Sequence, residues 1–185
     1  MLSSSTYTTG TGSRYIVGEV RNDNAHNVEF VKITARFLDA VGNLLGSEFG
    51  YTRLDILTPG QRSPFAITSL DPPDRYDRYT LEVEASATQR QPVAGLTILS
   101  PVDQPLGPSG ARSISGQVRN DSGGAVEALQ IVATVYDQSG TVVATDVVNA
   151  QRPQLAAGAM SQFTIIVLHW DGGVRYELQA QARRP

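Results

Sequence analysis

Imidazole is the side chain most often recruited for catalysis and metal binding near neutral pH, so the two histidines are weighed first. His26 lies in an Asn-rich stretch between Asn22 and Asn27, and His169 stands beside Trp170. They sit at non-equivalent places without a second histidine at ligand spacing, so each reads as a loop residue and no metal is expected. His169, Asp171 and a serine would supply the parts of a hydrolase triad. No serine, however, occupies a Gly-x-Ser-x-Gly elbow that would expose it as a nucleophile. Glu82 and Glu84 would share a strand face about 7 Å apart, within the range of glycosidase carboxylates. They read instead as a solvated edge, because the corresponding residues of a second repeat are Gln179 and Gln181.

Arg21-Asn22-Asp23 returns as Arg119-Asn120-Asp121. Such a loop could bind a ligand, with calcium held through Asp23 and Asn24. The alternative is that Asn and Asp bond their own backbone to close a turn while Arg covers a strand end. One carboxylate per loop is poor for calcium, so the turn is the expected reading. Asn120-Asp121-Ser122 also fits a glycosylation sequon, which the copy at Asn22 lacks. Among the aromatics, Trp170 is the single tryptophan, where the first repeat has Pro72. It could stack on a sugar or anchor a partner, or equally cap the base of the core. Leu38 and Tyr136 read as pointing away from the core, free for a protein contact. A platform of Trp170, Tyr136 and Tyr51 would make a carbohydrate or small-ligand site.

The elements that position these residues come in two copies. Gly18-Glu19-Val20-Arg21-Asn22-Asp23 matches Gly116-Gln117-Val118-Arg119-Asn120-Asp121, and the same offset aligns Asp39 with Asp137, Gly60 with Gly158 and Phe65 with Phe163. Roughly 16 of 50 positions agree, and a period near 100 residues suits a folding domain rather than a solenoid unit. After a one-residue slip, Arg78-Tyr79-Thr80-Leu81 meets Arg175-Tyr176-Glu177-Leu178. Alternation places Val31, Ile33, Ala35 and Phe37 on one strand face, with Leu129, Ile131, Ala133 and Val135 in the copy. Tyr79, Leu81, Val83 and Ala85, and in turn Tyr176, Leu178, Ala180 and Ala182, form another inward set. Asp39 to Gly42 and Asp137 to Gly140 carry type I turn residues. The expected class is all-β: two tandem immunoglobulin-like antiparallel β-sandwiches, residues 1–90 and 91–185. Tyr79 and Tyr176 would stand as tyrosine corners bonded to loop backbone. The second domain would be approached through a Pro/Gly-rich stretch, 91–111, with a short strand at Leu96 to Leu99 and a loop containing Pro101, Pro105 and Pro108. Leu2-Ser3 mirrors Leu99-Ser100, so the first strand of the first domain is expected to show only its tail. The Ser/Thr-rich stretch from Ser3 to Ser13 could then lie in a neighbour's groove.

Composition narrows the classes. The chain has 185 residues, 41% of them hydrophobic, a net charge of −3 and no cysteine. Thiolate metal sites and disulfides are therefore excluded. Cations are scattered and include a single lysine, which argues against nucleic acid. No apolar run approaches a membrane helix, and Met1-Leu2-Ser3-Ser4-Ser5 has neither the basic end nor the apolar stretch of a signal peptide.

The ordered set G-E-V-R-N, V-E-F-V-K-I-T-A-R-F-L-D-A-V-G-N and L-T-P-G-Q-R-S-P-F resembles the FxLYD domain family, over residues 14–85 and again over 112–182. The Tyr usual before the turn Asp is present as Tyr136 and replaced by Leu38 in the first copy. The resemblance implies an immunoglobulin-like module at the cell surface or outside the cell, commonly in tandem. It implies a spacer, scaffold or adhesion segment of a longer protein, with no catalytic residues and no cofactor. Its partners would be other proteins or further copies of itself.

Overall fold

The structure, a computed structural model, describes residues 1–10, 12–70, 73, 76–107 and 110–185; Pro72 and Pro108 lie outside the described residues. Strands make up 62% of the described residues, which contain no α-helix. The chain divides into two compact units, Met1–Gln89 and Arg90–Pro185. Each is an all-β antiparallel sandwich.

In the first unit, β1 (Ser3–Thr8), β2 (Arg14–Arg21) and β6 (Arg62–Ser69) form one sheet in the order β1-β2-β6. The facing sheet is built on β3 (Val28–Leu38). It pairs on one side with β4 (Leu44–Tyr51) and β5 (Ile56–Leu57), and on the other with β7 (Arg78–Ala87). The second unit repeats the plan: β8 (Leu96–Pro105), β9 (Arg112–Asn120) and β12 (Met160–Val167) form one sheet. The strands β10 (Glu127–Tyr136), β11 (Val142–Asn149) and β13 (Arg175–Arg183) form the other. A single bridge, Val126 to Leu155, stands where β5 stands in the first unit.

The period-2 pattern directs the cores. Val31, Ile33, Ala35 and Phe37 are buried together with Phe65 and Ile67, and Leu129, Ile131, Ala133 and Val135 with Phe163 and Ile165. Burying each Phe ring contributes about 2–3 kcal/mol. The repeated Gly of Gly-x-Val-x-Asn has a packing cause. A Cβ on Gly116 would lie 2.8 Å from Phe163 Cζ, and one on Gly18 would lie 2.6 Å from Phe65 Cζ. Only a bare backbone lets these rings cross the strand.

The paired turns form as their residues dictate. Asp39 Oδ1 accepts from the Val41 and Asn43 amides at 2.9 and 2.8 Å, and Asp137 Oδ1 from Ser139 and Thr141 at 2.8 and 2.9 Å. Gly42 and Gly140 take the positive φ (97° and 84°) that closes each hairpin. Hydrogen bonds to the ionised form hold both carboxyls below the ordinary value: for Asp39 chiefly from Asn43, for Asp137 chiefly from the Ser139 hydroxyl. A depressed folded-state pKa means the unfolded chain binds protons first. The contribution is therefore complete above about pH 4 and lost as pH falls through the folded-state value. Between pH 5 and 2 the denaturation midpoint should fall, and the Asp39→Ala/Asp137→Ala double variant should show a shallower decline.

Several expectations change. The stretch 91–111 is not mainly a linker, because β8 continues through Pro101 to Pro105. It is an edge strand with a bulge between Leu99 and Val102, where Ser100 takes a left-handed backbone (φ 47°), so Pro101 removes no needed ladder bond. The Ser/Thr-rich start is likewise a strand of its own unit, β1, paired with β2 from Ser3↔Glu19 to Thr8↔Arg14. The tyrosine-corner bond to loop backbone is replaced by other contacts. Tyr79 Oη lies 3.5 Å from Ser4 Oγ, and Tyr176 stands edge-on to Trp170 with ring centroids 6.0 Å apart. Val83 and Ala85 face inward as the alternation requires, yet both are exposed.

Candidate functional site

The strongest identity between the repeats turns out to be a structural knot. Asn22 and Asn120 are buried, and each side-chain amide donates to carbonyls brought from two directions. Asn22 Nδ2 reaches His26 O and Leu57 O at 2.8 and 2.9 Å; Asn120 Nδ2 reaches Gly124 O and Leu155 O at 2.8 and 2.9 Å. Their Oδ1 atoms accept from the Asn24 and Ser122 amides, both at 3.1 Å. Backbone bonds complete the pattern, with Gly60 N and Gly158 N each donating to the Asn carbonyl at 2.7 Å. Arg21 Nε and Arg119 Nε each hold the following Asp at 2.6 and 2.7 Å. The Arg119 bond, with one from the Thr97 hydroxyl, holds the Asp121 carboxyl below its ordinary value. Asp23 Oδ1 is therefore engaged by Arg21. Asn120, with its amide in the interior, presents no nitrogen for a glycan.

Trp170 lies at the pole of the second unit, on the loop after β12, half-buried against the core. Its indole N–H donates to Gly173 O at 3.0 Å, and the Arg112 guanidinium lies 5.1 Å from the ring centroid. Arg112 in turn pairs with Asp103. The first unit builds a similar cap, with the Arg14 guanidinium 4.7 Å from the Tyr76 ring and Tyr76 against Phe37 at 5.0 Å. Burial raises the Tyr176 phenol, with the nearby Asp103 carboxylate acting in the same direction. Partial burial lowers His169 despite Asp171. Arg112→Ala is expected to cost the second unit about 1 kcal/mol and to redden Trp170 emission, checked by fluorescence during urea denaturation.

Tyr136 is a correction. Expected on a free face, it is 1% exposed, under the Arg175 guanidinium at 3.8 Å from the ring centroid. Its phenol donates to Glu177 Oε2 at 3.5 Å, and Arg175 closes the group by pairing with Glu177 at 2.6 Å. Leu38 is half-buried, opposite Leu44 beside a bulge at the end of β3. The three aromatics therefore do not form one platform. Tyr136 is covered, and Trp170 packs on the second unit's core.

Tyr51 does have company. It is 50% exposed and meets Phe49, 57% exposed, edge-on at 6.0 Å, while Lys32 Nζ lies 5.0 Å from the Phe49 ring centroid. Phe49 was missed in the sequence. The signal was the difference between repeats, since Val147 and Asn149 occupy the matching places of the second copy. Glu82 and Glu84 are exposed and pair with Arg36 and Lys32 at 3.2 and 3.6 Å, as a solvated strand edge would. His26 lies exposed in its loop with its carbonyl accepting from Asn22.

No family model matches the chain, and no curated protein matches it. Among solved structures it is similar to a beta-glucuronidase from glycoside hydrolase family 2, at 12% identity and a TM-score of 0.30. That match covers 84% of this chain and 20% of that one. It is also similar to the exo-chitosanase CsxA of Amycolatopsis orientalis, at 17% identity and a TM-score of 0.24, covering 94% of this chain and 21% of that one. The chain thus spans only a small part of the length of either protein.

Proposed function

We propose that this chain is a non-catalytic structural and interaction module, a tandem sandwich of the FxLYD type working at the cell surface or outside the cell. One observation carries the reading: what the repeats share most closely, Arg-Asn-Asp and the Asp-to-Gly turn, is spent on the fold itself. The duplicated property is the scaffold, and Phe49 and Tyr51 are among the exposed positions at which the copies differ. The many Arg–carboxylate pairs, among them Arg21–Asp23, Arg36–Glu82 and Arg175–Glu177, support protein rather than nucleic-acid partners. The reading is tested by assaying the purified chain on chromogenic esters and glycosides. No turnover is expected; turnover abolished by His169→Ala overturns it.

The exposed pair Phe49 and Tyr51 favours a second reading, an accessory module that stacks on sugar rings. Affinity electrophoresis in soluble polysaccharide tests it. Retardation lost in Tyr51→Ala and Phe49→Ala supports the sugar face, and migration identical to that of an inert protein removes it.

A further inference from the structure

The sheets built on β3 and β10 share a backbone plan, yet their outward faces carry different chemistry. In the second unit the polar side chains bond to one another. Gln181 Nε2 donates to Gln130 Oε1 at 2.9 Å, and Gln130 Nε2 to Asn149 Oδ1 at 3.1 Å. The matching places of the first unit hold Glu84, Lys32 and Tyr51. There Lys32 Nζ lies 3.6 Å from Glu84 Oε2 and Arg36 Nη1 3.2 Å from Glu82 Oε1, and all four side chains reach solvent. Register sets Tyr51 opposite Lys32 and Phe49 opposite Thr34, so rings and ion pairs share one face.

A third ring adjoins them. Between Glu29 and Lys32 the pairing of β3 with β7 shifts, and Phe30 takes a left-handed backbone (φ 52°) that leaves it 66% exposed. Ala128 repeats that backbone (φ 50°) in the second unit, so the bulge belongs to the fold and the ring does not. Such a backbone suits glycine and strains a bulky residue, so neither conformation nor packing calls for phenylalanine there.

We propose that this face of the first unit binds an uncharged polysaccharide chain. Phe30, Phe49 and Tyr51 take the apolar C–H faces of its sugar rings. The ion pairs take its hydroxyls: one oxygen of a vicinal diol accepts from Lys32 or Arg36 while its neighbour donates to Glu84 or Glu82. Two cations beside two anions cancel, so the face offers an acidic or a basic glycan no net attraction. The proposal rests on the sugar-stacking reading above and names its class of glycan.

The full chain is titrated calorimetrically with soluble barley β-glucan, galactomannan and dextran as uncharged probes, and with polygalacturonate and chitosan as charged ones. At least one uncharged probe should bind about tenfold more tightly than either charged one, with little change on adding molar sodium chloride. Phe30→Gly should weaken that binding about fivefold while holding or raising the thermal midpoint, which separates the ring's part in binding from any part in folding. The Lys32→Met/Glu84→Leu double variant, whose net charge is unchanged, should weaken it as well. Tighter binding of a charged probe, lost in Tyr51→Ala, overturns the uncharged class and leaves sugar stacking standing. Binding of no probe removes both. Binding that survives Phe30→Gly and the double variant overturns this face as its seat. Dimers of the chain alone that Tyr51→Ala dissociates would make a second copy the occupant and overturn the proposal too.

Discussion

Asn120→Asp is expected to destabilise the second unit by at least about 3 kcal/mol at neutral pH. Asn120 is 0% exposed, and its Nδ2 donates to Gly124 O, Leu155 O and Ala156 O at 2.8, 2.9 and 3.1 Å. A carboxylate of the same shape has no proton for any of these carbonyls. It also sets a buried charge against three acceptor oxygens, so electrostatics and desolvation act in the same direction. The loss should shrink in acid, because the protonated carboxyl regains one donor. Its folded-state pKa is raised, so the penalty is full above that value and relaxes as pH falls below it. Trp170, the only tryptophan, lies in the second unit and reports this transition directly in urea titrations at pH 7 and pH 4. A loss below 1 kcal/mol would mean that the Asn knot is ornamental. Asn22→Asp should act similarly on the first unit, read by circular dichroism.

The second large effect is expected where Phe163 crosses Gly116. An added methyl at Gly116 would fall 2.8 and 3.0 Å from the ring and 3.2 Å from Leu99 O, so Phe163, 1% exposed, must leave its well or push β8 aside. Overpacking of this kind costs about 1–3 kcal/mol, and Gly116→Ala is expected near 2. At Gly18 the added methyl would meet the Ser3 carbonyl oxygen as well as Phe65, so backbone as well as ring must yield and the cost should be larger, about 3 kcal/mol. The cause is separable by a double variant. Phe163→Leu alone leaves a cavity, but combined with Gly116→Ala it makes room for the methyl, and the two losses should fall short of additivity by about 1 kcal/mol. Strict additivity, measured by Trp170-detected denaturation, would show that the ring is not the obstacle.

Much of this architecture could be read from the residues because it rests on local periodicity and turn chemistry. Val31 to Phe37 and Leu129 to Val135 alternate, and alternation alone assigns a face. Asp39-x-x-Gly42 and Asp137-x-x-Gly140 close hairpins within four residues, so neighbours in sequence suffice. The repeat itself ruled on Arg-Asn-Asp, because an element needed twice in the same place is one the fold requires.

Other features depend on partners distant in the chain. Tyr136 alternates out of the core, and its burial comes from Arg175 and Glu177, one strand away in space and about forty residues away in sequence. Tyr51 and Phe49 lie exposed on β4, whereas Trp170 is drawn in by Arg112 and Tyr176. None of that is visible in local spacing. Val83 and Ala85 show the limit most plainly: alternation gives the direction of a side chain, but burial needs a second sheet above it. The amino-acid order thus determined the strands, the turns and the duplication, because short-range sterics and hydrogen bonds suffice for them. Tertiary structure alone decided which residues are covered, Tyr136 among them, because coverage depends on register between strands far apart in the chain.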